Sequence, residues 1–343
     1  MSREKDNLTI VEIAEQLDLS VATVSRALHN HKSVKEETRK RVKNLADKLG
    51  YKINAVASSL RSNKSNIIGL IVPKISMYFQ SQVITSIQNE LSDCGYNLII
   101  LQSNDSPDLE KKAIETLISL RVAGVIVAVT LRTTDFSPFE IFLKRNITVV
   151  FYDRIPNYDF GSINIAGDDK QGGFEGTRHL IEVGCKNILF ITGPLQSNIY
   201  KNRTAGYKLA LKRAGIPFKK ENIYSHELTW ENAWSSINEA FEKDKTIDGI
   251  FTTNDTSAIA ALEFCKTNGL SVPKKVKILG YSNDERTSIT SPSISSIEQF
   301  PNEFGVKAVQ QLMLHVNLPE NTSQQKLQKK ILIPVKLVRR MST

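Results

Sequence analysis

At 343 residues, with 41% hydrophobic and 24% charged residues, the chain is long enough for two or three globular domains with sizeable cores. The formal charge is +9, and residues 1–66 hold 13 Lys and Arg against 8 Asp and Glu, a local excess that favours a polyanionic partner. Cys94, Cys185 and Cys265 are too few and too widely spaced for a disulfide framework or a metal site, MSREKDNLT has no apolar run behind its charges, and no stretch approaches the roughly 20 apolar residues that span a bilayer. A cytoplasmic protein in a reducing compartment is expected, with no membrane partner, no metal and no cofactor.

In chain order, Thr9 and Glu12 have capping-box spacing, and Ile10, Ile13, Ala14 and Leu17 recur at i, i+3, i+4 and i+7, which predicts a helix with one apolar stripe. Asp18 and Leu19 make a turn, Ser20 is a good N-cap, and residues 21–28 give about two further helical turns. In this second helix Val24, Ala27 and Leu28 pack inward, leaving Val21, Ala22, Ser25 and Arg26 outward, where a recognition helix presents side chains to base edges. A helical hairpin inside a larger core has the same spacing. A third helix favours the DNA-reading alternative: Ser33 and Glu36 form a second capping box, and Thr38, Val42, Leu45, Ala46 and Leu49 face the first two helices. Gly50 ends it, and Lys35, Arg39, Lys40 and Lys43 make its outer face basic.

The run TIVEIAEQLDLSVATVSRALHN, followed by V-x-x-x-T-R-x-x-V and Gly50-Tyr51, resembles the headpiece of the lactose/galactose repressor (LacI/GalR) family of bacterial transcription regulators, and the resemblance continues through SLRSNKSNIIGLIVP to the end of the chain. It implies DNA contacts from Thr9, Val21, Ala22, Thr23, Ser25, Arg26, Asn30 and Ser33. The polar stretch KINAVASSLRSNKSN reads either as a plain linker or, as the resemblance implies, as a hinge helix at 54–62. There Asn54 is the cap, Ala57 allows close approach of a second helix, and Leu60 matches the family's apolar wedge in the minor groove. Isolated helices under about 12 residues are marginal in water, so this one needs a partner helix and DNA. Ile53 departs from the proline common in the family at that position.

From residue 67 onward, short apolar runs alternate with helical periods, the pattern of parallel α/β units. Strands are expected near 67–72, 97–102, 124–129 and 148–152, with helices near 79–94, 108–120 and 137–145. A second set has strands near 187–192, 249–252 and 277–280, and helices near 169–183, 199–214, 230–242 and 255–268. Residues 293–299 and a helix at 303–316 read as a return to the first lobe, and 330–338 as the closing segment of the second. The expected fold is therefore an all-α helix-turn-helix headpiece (1–52), a hinge (53–66), and an α/β core of two doubly wound lobes, periplasmic-binding-protein-like. The lobes take 67–161 with 292–322, and 162–291 with 323–343.

Catalytic signatures are missing. Gly172-Gly173-x-x-Gly176 has the wrong spacing for a dinucleotide fingerprint, no phosphate-binding loop or nucleophile elbow occurs, and the five histidines make no metal spacing with the cysteines. Asp153-Arg154 is either an acid with its partner or a structural ion pair. Ligands of open α/β sheets bind beyond the carboxyl ends of the strands, and there the family's effector contacts point to Ser76, Phe79, Asp153, Arg203, Trp230 and Asn254. Phe79 also suits the core, and Asp255 suits a helix cap. Aromatic faces with Arg and Asn suit a polyol. In LGYSND the family usually has aspartate where this chain has Ser282, and Asn283 beside it, with Arg203, would ease the holding of an acidic or phosphorylated sugar.

A sugar transport protein would explain only the cleft, and a nucleotide or sugar enzyme only the α/β alternation. A sequence-specific DNA-binding regulator, a repressor controlled by a small sugar, sugar acid or sugar phosphate, explains headpiece, hinge and cleft together. Two-fold pairing on a pseudo-palindromic operator is expected from the short hinge helix, and no heptad segment follows Val338 to assemble tetramers, so a homodimer is expected.

Overall fold

A computed structural model describes residues 9–28, 30–31, 33–51, 65–158, 161–316 and 329–343. The chain divides into a unit ending at Ser65 and one beginning at Asn66. The hinge positions Asn54, Ala57 and Leu60 lie outside the described residues.

The first unit contains α1 (Ile10–Leu17), α2 (Val21–Leu28) and α3 (Glu36–Leu49). Its core is Ile13, Ala14, Val24, Ala27, Val34, Val42 and Ala46, with Ile10, Leu17, Leu28 and Leu45 packed around it. The backbone amide of Thr9 donates to Glu12 Oε2 at 2.9 Å, and that of Thr23 to Ser20 Oγ at 3.1 Å, so both helix starts are capped by the residues their spacing indicates. Asp18 turns the chain with a φ of 52°, a conformation Asp tolerates better than most residues. The expected second capping box does not form. α3 starts at Glu36 with Lys35 at its cap, while Ser33 Oγ pairs with His31 Nδ1 at 2.8 Å and Glu36 accepts from Arg39 at 2.6 Å.

The second unit holds two six-stranded sheets. The first has the order β11-β5-β4-β3-β1-β2 and is built from β1 (Ile67–Val72), β2 (Asn97–Gln102), β3 (Gly124–Val127), β4 (Thr148–Tyr152), β5 (Ile163–Gly167) and β11 (Lys329–Ile333). The second repeats that order as β12-β10-β9-β8-β6-β7, with β6 (Ile188–Thr192), β7 (Ile223–Ser225), β8 (Gly249–Thr252), β9 (Lys277–Tyr281), β10 (Ser295–Glu298) and β12 (Lys336–Val338). Pairing is parallel except between β10 and β12. Each sheet is covered on both faces, as its near-continuous apolar strands require. Ile68, Leu70 and Val72 pack under helices Tyr78–Asp93 and Pro301–Val316, while Ile71, Val125 and Phe151 meet Leu117, Phe139 and Phe142 on the other side.

Three assignments differ from those the sequence suggests. β5 belongs to the first sheet, beside β4; its Asn164 and Gly167 broke the apolar run, yet all five residues are buried. β10 belongs to the second sheet, where Ser295 and Ser296 pair beside Leu279 and Gly280, and only the helix after it returns to the first lobe. β11 pairs with β5, so of the closing segment only β12 joins the second sheet. Strand periodicity reports burial and is silent on which sheet does the burying. Chain-end residues finish the second lobe: Ser342 is fully buried, its Oγ donates to the Ile278 carbonyl at 2.6 Å, and it accepts from the Ser295 amide at 2.9 Å.

The glycines of Gly172-Gly173-x-x-Gly176 set a helix contact. A Cβ on Gly173 would lie 2.1 Å from the Arg203 carbonyl oxygen, and one on Gly206 2.1 Å from that of Lys170, so helices Asp169–Glu182 and Asn198–Arg213 touch backbone to backbone. Neither atom can rotate away. Gly206→Ala should therefore cost about 1–3 kcal/mol through overpacking. A melting temperature within about 1 °C of the wild type would contradict this contact.

Candidate functional site

In the first unit, the side chains of Ala22 and Arg26 are exposed on α2, as are Thr9, Asn30 and Ser33 on the adjoining segments, while Thr23 and Ser25 are half-buried. Val21 differs from its expected outward role: it is half-buried and packs against the three-helix core. Thr23 Oγ1 also shares a 2.8 Å hydrogen bond with Ser20 Oγ. The exposed residues put a planar guanidinium one helical turn after a small apolar side chain. That pairing matches a guanine edge beside a thymine methyl. Lys35, Lys40 and Lys43 are exposed, but Arg39 is not a free surface charge, since it also donates to the Val34 carbonyl at 3.1 Å and braces the start of α3.

In the second unit, loops at the carboxyl ends of both sheets enclose a cavity of about 440 Å³. Its aromatic walls are Tyr78, Phe79, Tyr200 and Trp230. Phe79 serves cavity and core together, meeting Phe304 edge-on at 5.2 Å. Trp230 stacks on Trp234 at 5.0 Å, which fixes its indole at the edge of the cavity. Ser76, Asn254 and Ser282 also line it. Asn254 is oriented from both ends of its amide: Oδ1 accepts from the Ser257 amide at 3.0 Å, capping helix Asp255–Thr267, and Nδ2 donates to the Leu228 carbonyl at 3.0 Å. Ser282 has a φ of 113° and its Oγ donates to Gln299 Oε1 at 2.7 Å, a backbone strain on the order of 1–3 kcal/mol at the cavity wall.

Three expected contacts lie elsewhere. Arg203 is buried behind the wall, donating from Nε to Asp169 at 2.8 Å and from a terminal nitrogen to the Thr253 carbonyl at 2.7 Å, with its guanidinium 3.6 Å from the Tyr281 ring centroid. Asn283 turns away to Glu298 at 2.6 Å and accepts from Arg340 at 2.6 Å. Asp153 is buried beside Gln80 at 3.5 Å. The acidic-sugar argument built on Arg203 and Asn283 therefore loses both of its residues.

Arg154, read from the sequence only as a partner of Asp153, takes their place with two carboxylates the sequence did not single out. Arg154 lines the cavity and pairs with Asp105 at 2.5 Å, not with its neighbour Asp153. Asp105 also accepts from the Leu131 amide at 2.9 Å, and Asp284 holds Arg286 at 2.5 Å. The signal for both carboxylates was their position in the loops after β2 and β9. Among the described residues, no group of three His, Cys, Asp or Glu side chains converges to hold a metal.

Burial makes several carboxyls weaker acids than usual, Asp153 and Glu110 among them. Burial pushes Asp169 up to about 6, against the pull of Arg203, and pushes Asp255 up to about 7, against hydrogen bonds from the Asp284 amide and Ser296 hydroxyl. A raised folded-state value means that the folded chain keeps a proton the unfolded chain has lost, so these groups stabilise at low pH and lose that contribution as pH rises through about 4 to 7. Asp255→Asn should flatten the fall of melting temperature between pH 5 and pH 8 by a few °C. An unchanged slope would mean that Asp255 is ionised throughout.

Two family models match the chain: that of bacterial regulatory proteins of the lacI family over residues 9–54, and that of periplasmic binding proteins and the sugar binding domain of the LacI family over residues 65–341. The HTH-type transcriptional repressor PurR of Actinobacillus pleuropneumoniae serotype 3 is 30% identical over 316 residues, covering 92% of this chain and 93% of that protein. A solved Lac repressor dimer bound to operator and the anti-inducer ONPF shares the fold with a TM-score of 0.86 at 23% identity, over 98% of this chain and 99% of that one. A LacI transcriptional regulator from Alkaliphilus metalliredigens QYMF, complexed with D-xylulofuranose, has a TM-score of 0.70 at 27% identity, over 81% of this chain and 99% of that one. With a headpiece that presents Arg26 and a two-lobed core that encloses a cavity, the chain belongs to the lacI family of bacterial regulatory proteins and is a DNA-binding transcriptional regulator.

Proposed function

We propose that this regulator is a cytoplasmic homodimeric repressor that reads a pseudo-palindromic operator through α2 and releases or grips it according to a sugar held between the core lobes. The observation that carries this reading is the joining, in one chain, of a headpiece with exposed Ala22 and Arg26 to a cavity with stacking aromatics and convergent polar groups. The relatives support it, since one is a dimer bound to operator and another holds a sugar. A transport protein would have no use for the headpiece, and an enzyme none for either the headpiece or the hinge. In this reading Thr9, Thr23, Ser25, Asn30 and Ser33 position the headpiece, Asn54 and Ala57 serve the hinge, and Leu60 is its wedge.

Operator binding should weaken steeply with salt, because phosphate contacts release counterions. Arg26→Ala should relax base preference at one symmetric operator position, by about 1–3 kcal/mol for a lost base contact. Uniform weakening across all operator variants would give Arg26 only a backbone role.

Leu60→Ser and Asn254→Ala separate the two sites. The first should lose most specific operator affinity while sugar binding persists, because an apolar wedge offsets the few kcal/mol of unstacking a base step. The second should keep operator affinity and lose the response to sugar. Wild-type operator affinity in Leu60→Ser would reduce the hinge to a passive linker.

A further inference from the structure

We infer that the cavity selects an uncharged, hydroxyl-rich sugar and rejects the phosphate or carboxylate of the same sugar; this rests on the proposed sugar-binding function. The argument is a balance of charges and of hydrogen-bonding roles. Three cations line the cavity: Lys74, Arg154 and Arg286. Two of them are neutralised within the wall. Arg154 is 2% exposed and its guanidinium is 2.5 Å from Asp105, while Arg286 is clasped by Asp284 through Nε at 3.0 and 3.1 Å and a terminal nitrogen at 2.5 Å. That leaves Lys74 at the exposed edge, outnumbered by Glu227 and Glu231, both exposed and both lining the same cavity.

Asp255 adds a further buried oxygen pair to the wall. The balance stays negative even when its carboxyl holds a proton. Behind the wall Arg203 is spent on Asp169 and the Thr253 carbonyl, with the carboxyl of Asp153 close by. An anionic ligand group entering here meets a net negative wall whose two guanidiniums are each already paired with a carboxylate, and in a partly desolvated site that juxtaposition is costly.

The acceptors of the wall point the same way. Ionised carboxylates only accept hydrogen bonds, so Asp105, Asp284, Glu227 and Glu231 make the wall rich in acceptors. A sugar hydroxyl supplies a donor to such a wall. A phosphate dianion or a carboxylate supplies none. The aromatic faces of Trp230 and Phe79 suit the C–H faces of an uncharged pyranose or furanose ring, and ask nothing of its charge.

The test is a set of paired titrations on the full-length dimer. Trp230 on the wall and Trp234 stacked beneath it are the two tryptophans of the chain, so intrinsic fluorescence reports occupancy directly. Glucose, xylose, xylulose, ribose, maltose and cellobiose would each be compared with a phosphate or acid of the same sugar, such as glucose 6-phosphate, ribose 5-phosphate or gluconate, with adenine and hypoxanthine as non-sugar probes. For whichever sugar binds, the neutral member should have a Kd at least about tenfold below its anionic partner, the scale of like-charge rejection. Glu227→Gln combined with Glu231→Gln, at exposed positions where folding is not at stake, should narrow that ratio several-fold, and added salt should narrow it in the wild type.

A sugar phosphate or sugar acid that binds more tightly than its neutral parent overturns the inference and leaves the sugar reading intact. A ratio unmoved by the double substitution and by salt removes the electrostatic account and overturns it as well. If the purine bases alone shift the fluorescence, the sugar reading itself fails, and the inference with it.

Discussion

The guanidinium of Arg203 is the point on which the second lobe's share of the cavity depends. It ties the first turn of helix Asp169–Glu182 to the end of β8 and lies flat against Tyr281 at the end of β9. Two segments that supply cavity loops, and the helix beside them, are thus pinned to one buried charge. Such a pair is not a strong source of stability, because desolvation offsets much of its attraction. Its value is positional. Removing either partner leaves an uncompensated buried charge, so the loops carrying Asn254 and Ser282 are held in one arrangement. The close approach at Gly173 and Gly206 is what brings the arginine's own backbone within reach.

The architecture was legible wherever burial and period agreed. The amphipathic stripe of α1, the cap at Ser20 and the repeated α/β alternation all follow from spacing alone, and the doubly wound sheets follow from the alternation. Pairing partners were not legible: β5, β10 and β11 are short, and a buried five-residue strand looks alike in either sheet. The Ser33-Glu36 pattern failed for a related reason. A histidine two residues upstream and an arginine three residues downstream offered both side chains other partners, and the local pattern cannot weigh those.

The cavity was legible by position and less so by role. Reading the carboxyl ends of strands found Ser76, Phe79, Trp230, Asn254 and Ser282, because topology puts those loops together whatever their sequence. It misjudged Arg203 and Asn283, whose side chains are drawn off by Asp169 and by Glu298. It also passed over Asp105, whose partner Arg154 lies 49 residues further along the chain. Which cation meets which carboxylate is a tertiary fact, and it decides the charge the cavity presents.

That β11 and β12 come so late in the chain has a consequence for synthesis. Translation delivers the chain from its N-terminus, and the described core residues of the three-helix unit have all emerged once Tyr51 has. Neither lobe reaches that point early. The first sheet waits for β11 and the second for β12 and the Ser342 plug, so both expose unpaired edges beside β5 and β10 until those segments leave the ribosome. A nascent chain of this protein therefore carries the three-helix core of its DNA-binding unit ahead of two unfinished sheets, the state in which chaperones matter most.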